Sequence, residues 1–246
     1  MKLNLPKLIA YRKGDLWGFC NKERRIVIPI KYDKVGVFIE GFVKVSLNGK
    51  WGFINEAGIE ITDIVYDDAD NFDNGFAKVN MGIKKKGEDT VVFGGKWGVI
   101  NTEGKEVIPI QYHQIGKYHE GLFPVMLNNK WGLIDKKGKT IAPIKYERLA
   151  EFREGLVAVM MNGKWGFINT EGREIIPNNY SEVGQFYNGI VKVGLNGWWG
   201  FIDKNGKGIT PIKYDDIKDF DENLAYARLN DRWGFIDRNG VEYFED

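Results

Sequence analysis

Residues Tyr146–Pro177 read YERLAEFREGLVAVMMNGKWGFINTEGREIIP. The apolar residues alternate over short runs, and turn formers interrupt them every few positions. That is strand spacing, and no segment keeps a 3.6-residue period long enough for a helix. Asn162-Gly163 sits where a two-residue hairpin turn needs positive φ at both centres. Asn169-Thr170-Glu171-Gly172 fits a type I turn closing on glycine. Glu154-Gly155 marks a third turn, and Pro177 ends the last run because proline cannot donate to a ladder. Four strands are expected, at about 146–152, 156–161, 164–169 and 173–177.

The same pattern recurs along the chain. Trp-Gly pairs begin at Trp17, Trp51, Trp97, Trp131, Trp165, Trp199 and Trp233, at intervals of 34, 46, 34, 34, 34 and 34 residues. A fixed period means one small unit copied in tandem. The hairpin signal before each Trp is Asn48-Gly49, Asn162-Gly163 or Asn196-Gly197, with Asn128-Asn129, Gly94-Gly95 and Asn230-Asp231 as variants. One four-stranded unit cannot bury its own large residues, so neighbouring units must stack. The repeat tryptophans are read as the buried element that drives stacking. The glycine after each lets a neighbouring backbone or indole approach.

The expected fold is therefore all-β, with tandem four-stranded antiparallel meanders over 1–246 as a single repeat domain. A β-propeller-like arrangement of about seven small blades is preferred, and an open β-solenoid is the alternative. The first unit lacks its opening strand, which the C-terminal end or residues 1–7 would supply in a closed ring.

Composition narrows the function classes. Basic and acidic residues nearly balance, 35 against 34, for a net charge of +1. That gives no electrostatic case for nucleic acid or an anionic membrane. No run approaches the roughly 20 apolar residues of a membrane helix. No signal-peptide core stands at the N-terminus, and Cys20 is the lone cysteine. Both features favour a cytoplasmic chain, and a monomer is expected. Cys20 occupies a repeat isoleucine position and is read as a small buried hydrophobe.

These residues resemble the WG-repeat family of bacterial proteins. Its unit runs roughly Tyr-Asp, Phe-x-x-Gly, Ala-x-Val, Asn-Gly-Lys-Trp-Gly-Phe-Ile-Asp, x-x-Gly, Ile-Pro. Here Tyr32-Asp33, Phe186-x-x-Gly189, Ala77-x-Val79 and Lys164-Trp165-Gly166-Phe167-Ile168-Asn169 carry it. The resemblance implies a β-rich array, often one part of a larger bacterial protein. It brings no catalytic motif.

Residues that break the repeat are the candidates for function, since the fold does not demand them. The interval of 46 hides an insertion near residues 80–94, NMGIKKKGEDTVVFG. Lys84, Lys85 and Lys86 would lie at the tip of an extended hairpin between 81–83 and 90–93, either a partner contact or a solvated loop. Trp198 replaces the lysine of Lys50, Lys96, Lys130 and Lys164 and is expected to be partly exposed. It would stack on a sugar or a peptide side chain, or cover a neighbouring unit. His113 and His119 lack a metal-ligand spacing and read as surface residues. Asp33, Asp67, Glu147 and Asp215 follow the repeat tyrosines and read as turn acceptors.

No phosphate loop or nucleophile turn occurs, so no enzyme, cofactor or metal is expected. The function expected is a non-catalytic interaction module for a protein or peptide. A glycan or cell-envelope binder using exposed aromatics is the alternative.

Overall fold

A computed structural model describes residues 6–84 and 93–244. Among these residues every regular element is a strand, in seven small antiparallel sheets joined in tandem. The chain divides into two compact units, Met1–Gly116 with Lys136–Gly138, and Lys117–Asp135 with Lys139–Asp246.

In the first unit, sheet 1 contains Ile9–Lys13, Leu16–Cys20 and Ile26–Tyr32. Sheet 2 contains Lys34–Val35, Phe42–Leu47 and Lys50–Asn55. Sheet 3 contains Asp68–Ala69, Phe76–Lys84, Phe93–Asn101 and Glu106–Tyr112. In the second unit, sheet 4 includes Leu122–Leu127, Lys130–Asp135 and Thr140–Tyr146. Sheet 5 holds Arg148–Arg153, Leu156–Met161, Lys164–Asn169 and Glu174–Tyr180. Sheet 6 holds Glu182–Val183, Ile190–Leu195 and Trp198–Asp203, and sheet 7 holds Asp216–Ile217, Leu224–Leu229, Arg232–Asp237 and Glu242–Tyr243. The meander expected from the sequence is thus the fold. Glu242–Tyr243 completes its own sheet, pairing with Arg232–Asp237.

Turn chemistry fixes these registers. Asn48 and Gly49 have φ of 52° and 72°, and Asn128 and Asn129 have 51° and 59°. Both centres are left-handed, as a primed hairpin requires. Gly94 and Gly95 differ from expectation: they lie inside Phe93–Asn101, because the inserted residues lengthen this hairpin to Lys84↔Phe93. In the second turn, Asn55 Oδ1 accepts from the amides of Ala57 and Ile59, both at 3.0 Å.

The core lies between successive sheets. Phe167 of sheet 5 packs with Ile176, Phe186, Val191, Val193 and Ile202 of sheets 5 and 6. Ile168, one residue on, turns to the other face and joins Leu133, Ala142 and Tyr146 of sheet 4. The Trp-Gly strand is therefore buried on both faces, as its two-sided apolar pattern requires. Phe19 with Val43, Val45 and Ile54 repeats the arrangement in the first unit. Cys20 is buried.

The tryptophans depart from expectation. Six of the seven repeat indoles are only partly buried, and Trp233 is 49% exposed. They border the interfaces, while the aromatics enclosed in them are the repeat tyrosines and phenylalanines, such as Tyr32, Tyr214, Phe53 and Phe201. The glycine after Trp is explained by its own sheet. A Cβ on Gly166 would stand 2.5 Å from the Ile176 carbonyl oxygen, and one on Gly18 2.5 Å from that of Ile28. The last strand bulges over the glycine, for Trp165 pairs with Tyr180 while Phe167 pairs with Ile176. The proline lies in that bulge, on an edge strand. The near neighbours belong to the same copy's last segment, mostly its backbone, and at Gly234 they are Phe244 side-chain atoms; no indole of an adjacent unit stands among them.

Sheets 2 and 6 carry no regular last strand, and both have threonine where other copies place Ile28, Ile108, Ala142 or Ile176. The Phe53 amide donates to Thr62 Oγ1 at 3.1 Å, and the Phe201 amide to Thr210 Oγ1 at 2.9 Å. A side-chain oxygen replaces a ladder carbonyl, and only isolated bridges at Tyr66, Glu60, Tyr214 and Gly208 remain.

Candidate functional site

The column of second-strand residues opposite the Trp-Gly+1 position reads Ala10, Lys44, Lys78, Pro124, Ala158, Lys192 and Tyr226. Where it is lysine, the ammonium reaches the first strand of the following sheet. Lys44 Nζ donates to the Ala69 carbonyl at 2.6 Å, and Lys78 Nζ, besides pairing with Asp70 of its own sheet, donates to the Ile115 carbonyl of Gln114–Ile115 at 3.5 Å. Lys192 Nζ lies 3.2 Å from Asp219 Oδ1. In sheet 1 the residue is Ala10, which is exposed and has no arm to extend.

An open groove of about 650 Å³ lies there in the first unit. Trp17 and Trp51 contribute its aromatic surface, and Ala10, Val35, Gly36 and Val37 its apolar walls. Lys34, Lys44 and Asn71 supply the polar groups, so its only ionic groups are cations. Lys44 Nζ stands 5.0 Å from the Trp51 ring centroid, and the Arg12 guanidinium carbon 5.7 Å from that of Trp17. A cation thus lies within cation–π distance of each of the two rings.

The groove adjoins an unfinished sheet. In sheets 2, 3, 5, 6 and 7 a first strand pairs with the second strand, as Val35↔Val45 and Leu149↔Val159 do. In sheet 1, Ile9–Lys13 is the edge itself among the described residues. Sequence reasoning noted the missing strand but drew no site from it. The signal was Ala10 at a position that is lysine in sheets 2, 3 and 6, legible only once Lys44 is known to reach the following sheet.

The sequence candidates are scattered. Trp198 is 44% exposed at the start of the Trp-Gly strand of sheet 6. Two of the lysines it replaces pair with the carboxylate after the next repeat tyrosine: Lys50 with Asp67, and Lys130 with Glu147 at 3.4 Å. Lys84 ends the long strand Phe76–Lys84, whereas Lys85 and Lys86 lie outside the described residues. His113 and His119 are exposed, and among the described residues no three metal-ligating side chains come together.

The recurring carboxylates are turn acceptors, as expected. Asp33 Oδ2 accepts from the Asn48 amide at 2.5 Å, Glu147 Oε2 from Gly163 at 2.9 Å and Asp215 Oδ2 from Asp231 at 3.4 Å. The Gly163 amide, helped by Lys130, holds the Glu147 carboxyl below the usual carboxylate range. At Asp67, burial pushes the other way, but Lys50 and the amides of Ile83 and Gly82 outweigh it and lower the pKa.

A family profile described as WG containing repeat matches residues 17–51, 51–84, 97–131, 131–165, 165–197 and 199–233. The chain belongs to the WG-repeat family. The matches break at 85–96, where the insertion interrupts the period. No protein of curated function matches this WG-repeat chain significantly. Among solved structures it is similar to a eukaryotic initiation factor, with 14% identity over 96% of this chain and 72% of that one, at a TM-score of 0.43. Kluyveromyces lactis Hsv2p is similar at 9% identity, over 94% and 89%, with a TM-score of 0.36. A Bacteroides caccae protein of unknown function is similar at 16% identity, over 82% and 90%, with a TM-score of 0.25.

Proposed function

We propose that this WG-repeat chain is a non-catalytic interaction module that binds a protein or peptide segment in the Trp17–Trp51 groove. The observation carrying this reading is alanine at position 10, where the adjacent copy has Lys44 reaching across to the following sheet. It leaves two partly exposed indoles and an apolar wall open to an incoming side chain. Aromatic anchors in a concave apolar site are what a peptide side chain fills best.

Ala10→Lys is the sharpest test. The new ammonium is expected to reach the Val35 carbonyl, as Lys44 reaches Ala69, so the variant folds and its groove is filled. Random dodecapeptides displayed on phage should be enriched by the native chain and lost on Ala10→Lys. Equal enrichment on both proteins would sink the reading.

Exposed Trp198 favours a second reading, in which the module binds a glycan there. Trp198→Ala would then abolish binding on a glycan array while leaving peptide enrichment intact. Silence of the native chain on such an array would remove this alternative.

A further inference from the structure

We propose that the edge Ile9–Lys13, which among the described residues has no strand beyond it, takes an extended acidic segment of a partner protein as the first strand of sheet 1. The segment has the pattern acid–x–aliphatic. This deepens the peptide-binding reading and rests on it.

The chain's own copies supply the template. In sheets 2, 3, 5 and 7 the residue just before the first strand is an acid whose amide donates to the second strand. Asp33 N reaches Ser46 O at 2.8 Å, Asp67 N reaches Asn80 O at 2.8 Å, and Glu147 N reaches Met160 O at 2.8 Å. Asp215 N does the same to Arg228 O, at 2.8 Å. Two residues after the acid an apolar side chain pairs across: Val35 with Val45, Leu149 with Val159, Ile217 with Ala227. One residue later a second amide docks, as Gly36 N does to Lys44 O at 2.9 Å and Lys218 N to Tyr226 O at 2.8 Å. Through its carboxylate the acid then accepts from a hairpin-turn amide.

Sheet 1 retains the complementary half. Counted from Trp17, the carbonyls of Arg12 and Ala10 stand at the positions of Ser46 and Lys44. The amides of Gly14 and Asp15 are the sequence counterparts of those of Asn48 and Gly49, in a turn where Gly14 alone is left-handed. An unpaired strand edge is a ready template for an added strand. Charge selects the occupant: Lys13 is exposed on the edge beside Arg12, which pairs with the solvent-exposed Asp15 at 3.0 Å, and Lys34 is exposed on the groove wall. The ionic groups lining the groove are all cations, so an acidic strand is matched and a basic one repelled.

The probe is a synthetic peptide with the sequence of Tyr214–Phe220, YDDIKDF, beside its Asp215→Asn form. Fluorescence polarisation on the full chain should show binding that the amide form weakens by about tenfold, the worth of one charge-assisted hydrogen bond. Hydrogen exchange of Ile9–Lys13 should slow on addition of the acidic probe, and Arg12→Glu should weaken it. Equal binding of both probes, or binding without protection of Ile9–Lys13, overturns the inference. So does protection of those amides in the free chain, which would mean that its own residues fill the edge. In these cases a library enrichment still abolished by Ala10→Lys leaves the groove reading standing. Loss of all groove-dependent enrichment overturns both.

Discussion

At the residue scale, the tryptophan that makes the repeat visible is not the residue that the packing depends on most. An indole has an apolar body and a polar N–H, so a position at the rim of an interface suits it. The following glycine has no such latitude. A Cβ on Gly166 meets the Ile176 oxygen at 2.5 Å and the Asn178 nitrogen at 2.7 Å, both backbone atoms in a bulge that cannot swing aside. Gly166→Ala should therefore cost about 3 kcal/mol, at the upper end of overpacking, measured as a shift in the urea midpoint at constant slope. Gly163 is the contrast, with open space around its Cβ position and a left-handed φ of 70°. Asn129 already fills the equivalent site, so Gly163→Asn should stay within about 1 kcal/mol of the native protein. Similar losses at both sites would refute the close-approach account. The sequence showed that glycine was needed, but the bulge that needs it depends on how the last strand crosses, which no local pattern encodes.

At the element scale, strands and turns were legible because alternation and Asn-Gly pairs act locally. In the unit quoted first, Leu156–Met161 and Lys164–Asn169 fall where the alternation puts them. The outer strands shift to Arg148–Arg153 and Glu174–Tyr180, because edge pairing and the proline bulge set their limits. Loss of the last strand in sheets 2 and 6 was not read, although threonine marks both. Thr210 is almost fully buried, and its hydroxyl is the acceptor for the Phe201 amide. Thr210→Val should cost about 1–3 kcal/mol, since that buried donor loses its partner. Thr210→Ser should keep most of the stability. Hydrogen exchange of the Phe201 amide is the direct readout, and a Val variant as protected as the native protein would show that a backbone carbonyl has taken over. The candidate groove was hidden for a related reason. Ala10 is unremarkable in its own strand, and only the reach of Lys44 to Ala69 in the following sheet shows what alanine leaves open.

At the scale of the whole molecule, repetition distributes titrating groups through both compact units, so stability should depend on pH at two limbs. The carboxyls of Asp67, Glu147, Glu154, Asp216, Asp237 and Glu242 are all held below their ordinary range. A lowered carboxyl binds its proton less tightly folded than unfolded. Its contribution is complete above the unfolded value, about pH 4, and is lost as pH falls through the folded value. Tyr32, Tyr66, Tyr146 and Tyr180 shift the opposite way, with burial as the leading cause. A raised phenol holds its proton more tightly when folded, so its contribution is complete below about pH 10 and fades as pH rises beyond that. The melting temperature should thus be nearly flat from about pH 6 to 8 and decline outside the range set by these two limbs. Glu147→Gln should lower the plateau and make the acid limb shallower, because the amide keeps an acceptor for the Gly163 N–H but no longer titrates. A melting temperature that rises from pH 5 to pH 3, or an acid limb unchanged in Glu147→Gln, would show that these carboxylates do not govern the acid stability of the array.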